Sequence, residues 1–421
     1  MARLILDAAD EARLQGREGK AMALAMRLVV QAAEIMDAPS LVPIGFAHLD
    51  ACFYTGQPHV DFARYLLDNG GRFVVPAWSN SGVVSLADPA LKPAHIDPTA
   101  VRGAAQVMRL YEQLGCTPTF TCAPYQLPGG PGFGDHIAVG ESNAVSYYNS
   151  VLGCRTNKYG DYLDAACALT GKAPFAKLHT DAGRRAALHA EVSAVPENWR
   201  ETDLFPHLFG HLLGGLAGRR IPAVTGLSPS TTKDGLKAIC SAAASSGGVE
   251  LWHGVGLTPE APDLASIFSS GETFTVTADD LRRAQAELST ARDGPLNAVA
   301  LGTPHFSFTE FADLVRLLDG RRVKNDLTMI VSTSRGVREA LVARGWLAEL
   351  ERQGVRIVVD VCTYYGPRIP AIAGRVMTNA AKWAYYAPGM LGVEVAFGSL
   401  RECVESAARG EVWRDPSLWS P

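Results

Sequence analysis

The chain has 421 residues, of which 47% are hydrophobic and 19% charged, enough to bury a substantial core in two or three lobes. With 39 basic residues against 43 acidic ones the net charge is −4, which excludes a nucleic acid or an acidic membrane recruited by bulk charge. The opening residues Met1 to Glu11 meet acids too early for a secretory signal, and no apolar run approaches the ~20 residues of a membrane span. Eight cysteines without CxxC or zinc-ribbon spacing give no disulfide framework. The expectation is a cytoplasmic enzyme with mostly reduced, buried thiols.

In chain order, Ala, Glu, Arg and Met at helical spacing from Asp7 to Met36 predict one or two amphipathic helices. Leu41–Ala47 and Arg72–Pro76 read as strands, and a loop-rich stretch from Thr117 to Asp135 carries Gly129, Gly130, Gly132 and Gly134. Beyond it, apolar runs at 248–252, 296–301, 327–332, 355–361, 375–378 and 393–397 alternate with helical stretches such as 309–318 and 334–353. Strand–helix alternation with nearly continuous apolar strands predicts a parallel sheet covered on both faces. Ligands in such sheets sit beyond the carboxyl ends of the strands. Polar residues recur there: His253, Thr303 to Ser307, Ser332 to Ser334, Cys362 to Tyr364, and Thr378-Asn379.

Several segments together resemble the aconitase X family. They are Gly140-Glu141-Ser142-Asn143 running into Asn149 to Asn157, Thr121-Cys122-Ala123-Pro124-Tyr125, and Leu257-Thr258-Pro259-Glu260-Ala261. Further on come Leu301 to Ser307, Val359 to Tyr364, and Tyr385-Tyr386-Ala387-Pro388-Gly389. The likeness runs co-linearly over nearly the whole chain and points to the large, catalytic subunit. It implies an α/β, aconitase-like, multi-lobed core of mostly parallel sheets covered by helices, without the swivelling domain. That domain is expected on a separate small partner subunit. An N-terminal lobe over 1–225, holding the loop-rich substrate segment, and a C-terminal α/β lobe over 226–421 are expected to intertwine.

The resemblance also implies an iron–sulfur hydro-lyase. Loss of water from a hydroxy acid needs a Lewis acid for the poor leaving group, a base for the weakly acidic α-proton, and a cationic clamp for the carboxylate. Cys122 and Cys362 match the family's cluster cysteines, and Cys52, in His48-Leu49-Asp50-Ala51-Cys52, is taken as a further metal ligand. Where the family often has Gly-Cys-Pro-His, this chain has Gly302-Thr303-Pro304-His305. That variant resembles the branch acting on cis-3-hydroxy-L-proline with a [2Fe-2S] cluster; [3Fe-4S] and [4Fe-4S] clusters are the alternatives. Cys116, Cys154, Cys167, Cys240 and Cys403 are expected to be buried, inert thiols.

His48, Ser142, His305 and Ser307 are candidate catalytic residues, and the general base stays open among the chain's polar groups. Substrate contacts are expected from Glu141, Asn143, Arg155, Thr156, Asn157, Lys158, Thr303, Asn379 and Lys382. Ser142 either caps a helix or faces substrate. His253 reads as structural. The implied reaction is dehydration of cis-3-hydroxy-L-proline to Δ1-pyrroline-2-carboxylate. The alternatives are dehydration of mevalonate 5-phosphate, whose phosphate has only the Lys233 to Lys237 charges to call on, and a cluster-free isomerase or regulatory binding subunit.

Overall fold

A computed structural model describes residues 4–50, 52–88, 91, 97–364, 369 and 372–419. The alternating apolar strands of the second half form a five-stranded sheet in the order Val355–Val359, Thr328–Thr333, Ala298–Phe306, Arg375–Thr378, Glu394–Phe397. Every neighbouring pair in it is parallel. The apolar strands are continuous because both faces are covered. Ala298 and Ala300 pack into one core with Phe209, Ile239 and Trp383, while Val299 and Leu301 pack into another with Phe311, Leu314 and Leu350.

A three-stranded parallel sheet, Ala77–Ser79, Phe46–Leu49 and Ile137–Val139, repeats the logic in the first third of the chain. Ala47 and Leu49 face helices Lys20–Ile35 and Pro98–Gln113, and Phe46, Ile137 and Val139 face Tyr148 of helix Ser142–Ser150. A four-stranded parallel sheet lies between in sequence, in the order His253–Gly254, Pro222–Thr225, Leu188–Glu191, Glu272–Thr275. Helices Phe205–Ala217 and Lys233–Gly247 pack closely where a Cβ on Gly247 would sit 1.9 Å from the carbonyl oxygen of Gly214. Among the described residues no helix is long and apolar enough to cross a membrane. The α/β class and the parallel, helix-covered sheets are as the sequence predicts.

Some boundaries differ. Arg72–Pro76 is not a strand; the ladder begins at Ala77, after Pro76, which has no N–H to give it. Residues 248–252 form no strand: Gly248, at φ +75°, closes the preceding helix, and the Trp252 amide donates to Ser150 Oγ rather than to a neighbouring strand. The predicted 334–353 helix is two, Arg335–Arg344 and Trp346–Arg352, divided at Gly345 with φ +79°.

Asp360 ties the first third of the chain to the end of the five-stranded sheet. Its fully buried carboxylate takes both Nε (2.7 Å) and Nη2 (2.9 Å) of Arg335. It also accepts the amides of Leu86 and Ala87, each at 3.0 Å, and its own carbonyl accepts Gly82 N–H at 2.7 Å. The Arg335 side chain is 34% exposed, so loss of the Asp360 charge leaves its guanidinium open to water and removes chiefly the charge-assisted hydrogen bonds. Asp360→Asn is therefore expected to lower the unfolding free energy by about 2 kcal/mol, read as a lower urea midpoint at unchanged slope. An unchanged midpoint would contradict this role.

Candidate active site

The carboxyl ends of two parallel sheets meet at one cavity of about 410 Å³. In the three-stranded sheet, Asp50 follows the Phe46–Leu49 strand, Asn80 and Ser81 follow Ala77–Ser79, and Glu141 follows Ile137–Val139. From the five-stranded sheet, Cys362 and Tyr364 follow Val355–Val359, and Lys382 opens the helix after Arg375–Thr378. All of these line the cavity, together with Ser142, Lys158 and Asp161.

At its edge, Cys122, His305 and Cys362 bring one ligand atom each within 4.8 Å of one another. Cys122 and His305 are buried and Cys362 is partly open. The His305 amide donates to Cys122 Sγ at 3.3 Å, and Ser81 Oγ lies 3.0 Å from Cys362 Sγ. His305 Nε2 lies 3.1 Å from the Val361 carbonyl, an acceptor only, so Nε2 carries the proton. Nδ1, with the Thr121 hydroxyl at 2.9 Å, is then the nitrogen with a lone pair to give. Burial holds this imidazole down to about 4, so it is neutral. The hydrogen bond from Cys122 lowers the Cys362 thiol, with Ser81 and Lys382 adding to the effect, while burial and the shared proton push Cys122 well up. Two thiols and a neutral imidazole make a soft N/S donor set suited to iron or zinc and unsuited to magnesium or calcium.

Beside this group lies a buried ion pair, Lys382 Nζ to Glu141 Oε1 at 2.5 Å, with side chains 3% and 11% exposed. Burial alone disfavours the Glu141 charge, but the Lys382 ammonium and the hydrogen bonds from Lys382 and Asn143 hold its pKa down to about 2. Asp50 is the opposite case. Burial, and then the charges of Glu141 and Asp161, push it up to about 7 against the Asn80 hydrogen bond and the Lys382 charge.

The structure brings together only part of the expected site. Glu141, Ser142, Lys158, Lys382 and Cys362 line the cavity, and Cys122 and His305 stand behind Cys362. Asn143 is buried in the wall, its amide donating to the Cys122 carbonyl and to Glu141. His48 supports from behind, its Nε2 2.9 Å from the Thr121 carbonyl. Glu141, not Ser142, caps the helix by accepting the Asn143 amide.

Other candidates lie elsewhere, for local reasons. The Cys52 thiol is fully buried and donates to the Leu49 and Asn80 carbonyls, outside the Cys122–His305–Cys362 group. Arg155 pairs with Asp181 and the His179 carbonyl. Thr156 and Asn157 are buried and bonded to backbone groups of their own surroundings. Ser307 caps the Phe308–Leu318 helix and bonds Asp234. Thr303 and Asn379 line a small separate void with His207 and Lys237. His253, as expected, is structural, with Nε2 2.7 Å from the Arg184 carbonyl.

Sequence reasoning missed Asp50, Asn80, Ser81 and Asp161. The usable signal was position: Asp50 sits two residues after His48 at a strand end, and Asn80-Ser81 ends the segment next to it in the sheet.

Comparison with known proteins decides the family. The signature of the aconitase X first domain matches residues 3–182, that of the second domain 186–286, and that of the third 296–409. The chain belongs to the aconitase X family. This aconitase X is similar to the cis-3-hydroxy-L-proline dehydratase of Pseudomonas aeruginosa, 42% identical over 96% of this chain and 70% of that protein. It is 38% identical to the enzyme of the same name from Hypocrea jecorina, over 95% of this chain and 68% of the other. The phosphomevalonate dehydratase large subunit of Methanothermobacter thermautotrophicus is 30% identical over 94% of this chain and 97% of its own length. The crystal structure of Thermococcus kodakaraensis aconitase X in its holo form superimposes with a TM-score of 0.86 at 29% identity, covering 96% of this chain and all of that one. With dehydratases throughout these relatives, this aconitase X is a hydro-lyase.

The Glu141–Lys382 pair sets an acid dependence. A carboxylate whose folded pKa lies below its ordinary 4.5 stabilises the fold above that pH and loses the effect as pH falls towards about 2. The stability difference between wild type and Glu141→Gln is expected to be constant near neutrality and to shrink between pH 4.5 and about 2, followed by urea titration. A difference independent of pH over that window would count against the pair.

Proposed function

We propose that this aconitase X removes water from cis-3-hydroxy-L-proline to give Δ1-pyrroline-2-carboxylate, with an iron–sulfur cluster held by Cys122, Cys362 and His305. The observation that carries the reading is the Cys–His–Cys group at the edge of a cavity whose charges are mixed. The donor set fits such a cluster: thiolates are preferred by cluster iron, the His305 N–H donates to Cys122 Sγ, and the Ser81 hydroxyl lies 3.0 Å from Cys362 Sγ. When bound, a cluster iron supplies Lewis acidity for the departing hydroxyl. A [2Fe-2S] form accords with Thr303 standing where the family often has a cysteine.

Charge supports the amino acid over a phosphorylated substrate. Asp50, Glu141 and Asp161 line the cavity against Lys158 and Lys382, and Lys382 already neutralises Glu141. A phosphate requires converging cations or helix amides and is repelled by free carboxylates, whereas a zwitterion carries an ammonium for Asp161 at the rim and a carboxylate for Lys158 and Lys382. Identity to the two cis-3-hydroxy-L-proline dehydratases, 42% and 38%, also exceeds the 30% shared with the phosphomevalonate enzyme.

The reading includes a small swivelling-domain subunit that closes the cavity. Two observations support it: the phosphomevalonate relatives are named large subunits, and Tyr385 and Met390 are 45% and 46% exposed beside the cavity-lining Tyr386.

The enzyme prepared anaerobically with its small swivelling-domain subunit is expected to contain iron and acid-labile sulfide and to form the pyrroline from cis-3-hydroxy-L-proline. Cys122→Ser and Cys362→Ser should each lose the iron and at least about 10³-fold in kcat. Full iron occupancy in both variants overturns the ligand assignment. Faster turnover of mevalonate 5-phosphate overturns the substrate.

A further inference from the structure

The cavity holds three carboxylates, and their surroundings separate their roles. Glu141 is engaged on one oxygen by Lys382 and Asn143, and a carboxylate locked to a buried ammonium is a poor proton acceptor. Asp161 stands at the rim, its side chain 32% exposed and 3.4 Å from His59 Nε2. Asp50 is half-buried and has no cationic partner within ion-pair distance among the described residues. Its Oδ1 accepts Asn80 Nδ2 at 2.5 Å and its amide donates to Asp164 at 2.6 Å, which fixes the carboxyl plane. No hydrogen bond engages its second oxygen, Oδ2, among the described residues.

What connects Asp50 with the chemistry is a two-residue link. Asn80 holds Asp50, and the next residue, Ser81, lies 3.0 Å from Cys362 Sγ. The dipeptide therefore ties Asp50 to the Cys–His–Cys group through two hydrogen bonds, and Asp50, Asn80, Ser81 and Cys362 all line the same cavity. The other candidates for proton transfer are engaged. Ser142 Oγ donates to Glu141, and His48 gives its Nε2 proton to the Thr121 carbonyl behind the wall.

We propose that Asp50 is the general base of the dehydration, a role that rests on the substrate reading above. Asp50 Oδ2 takes the proton from the α-carbon of cis-3-hydroxy-L-proline. The C–H electron pair becomes the α,β double bond as the C–O bond breaks, and the hydroxyl departs with that bond's pair. The proton on Asp50 and the departing hydroxide together make up the one water released, leaving a cyclic enamine. Protonation of its β-carbon with loss of the nitrogen proton gives the Δ1-pyrroline, so no external oxidant or reductant enters. The environment that splits the two neighbouring carboxylates, Glu141 held ionised and Asp50 raised towards neutrality, matches a proton acceptor beside a fixed charge.

The test uses the enzyme prepared anaerobically as the complex with its small swivelling-domain subunit. Wild type is assayed first with cis-3-hydroxy-L-proline; failure to form pyrroline overturns the substrate reading, and the base assignment falls with it. With active wild type, Asp50→Asn is expected to lower kcat about 10³-fold while KM, iron content and the visible spectrum stay close to wild type. In Asp50→Ala, added formate should restore turnover in proportion to its concentration, a response that a merely structural carboxylate does not give. Three results would overturn the proposal: Asp50→Asn within tenfold of wild type, loss of activity that tracks loss of iron, or an iron-replete Asp50→Ala indifferent to formate.

Discussion

Glu141 and Lys382 come from strand ends 241 residues apart in sequence and form an ion pair from which water is nearly excluded. Such a pair is a weak source of net stability, since desolvation offsets much of the Coulomb attraction. It is a strong constraint on geometry, because leaving either charge alone in that place costs several kcal/mol. The pair therefore fixes how the first and third family domains meet. Asp360 reinforces the same junction by holding Arg335 and the amides of Leu86 and Ala87. Cys122, Cys362 and His305 converge because this junction is specified; no short stretch of chain supplies all three.

From that junction the chemistry follows as a division of labour. The soft donors lie at the cavity edge, with Ser81 and the His305 amide beside their sulfurs. Lys382 remains charged next to Glu141 and presents a cationic wall for a carboxylate. Asp50, lacking such a partner, keeps one oxygen available. One sheet end contributes the carboxylates, the other the thiol and the ammonium. These groups share the wall of one cavity of about 410 Å³, a size suited to a small molecule.

The fold was readable because strands buried on both faces announce themselves as apolar runs, as in Ala298–Phe306 and Thr328–Thr333. That Cys122 and Cys362 come together in space was legible through the family's motifs. Cys52 was misplaced because a buried thiol and a ligand thiol look alike in sequence; only the Leu49 and Asn80 carbonyls that it reaches tell them apart. Arg155, Thr156 and Asn157 read as substrate contacts, yet they serve the packing of the Asp135–Asp181 region. Asp50 escaped notice because its role depends on what Lys382 leaves unpaired, and no local pattern records that. His305 was singled out for proton transfer, whereas its place is with the two cysteines.

The central claim is that Cys122 and Cys362, 240 positions apart, stand side by side at the cavity edge. The most direct measurement treats native, metal-stripped protein with a short bifunctional thiol reagent and maps the joined peptides by mass spectrometry. The account predicts a dominant cross-link between the peptide containing Cys122 and the one containing Cys362. Modification of Cys362 with Cys122 unlinked, or a dominant link from either to Cys52, would contradict it.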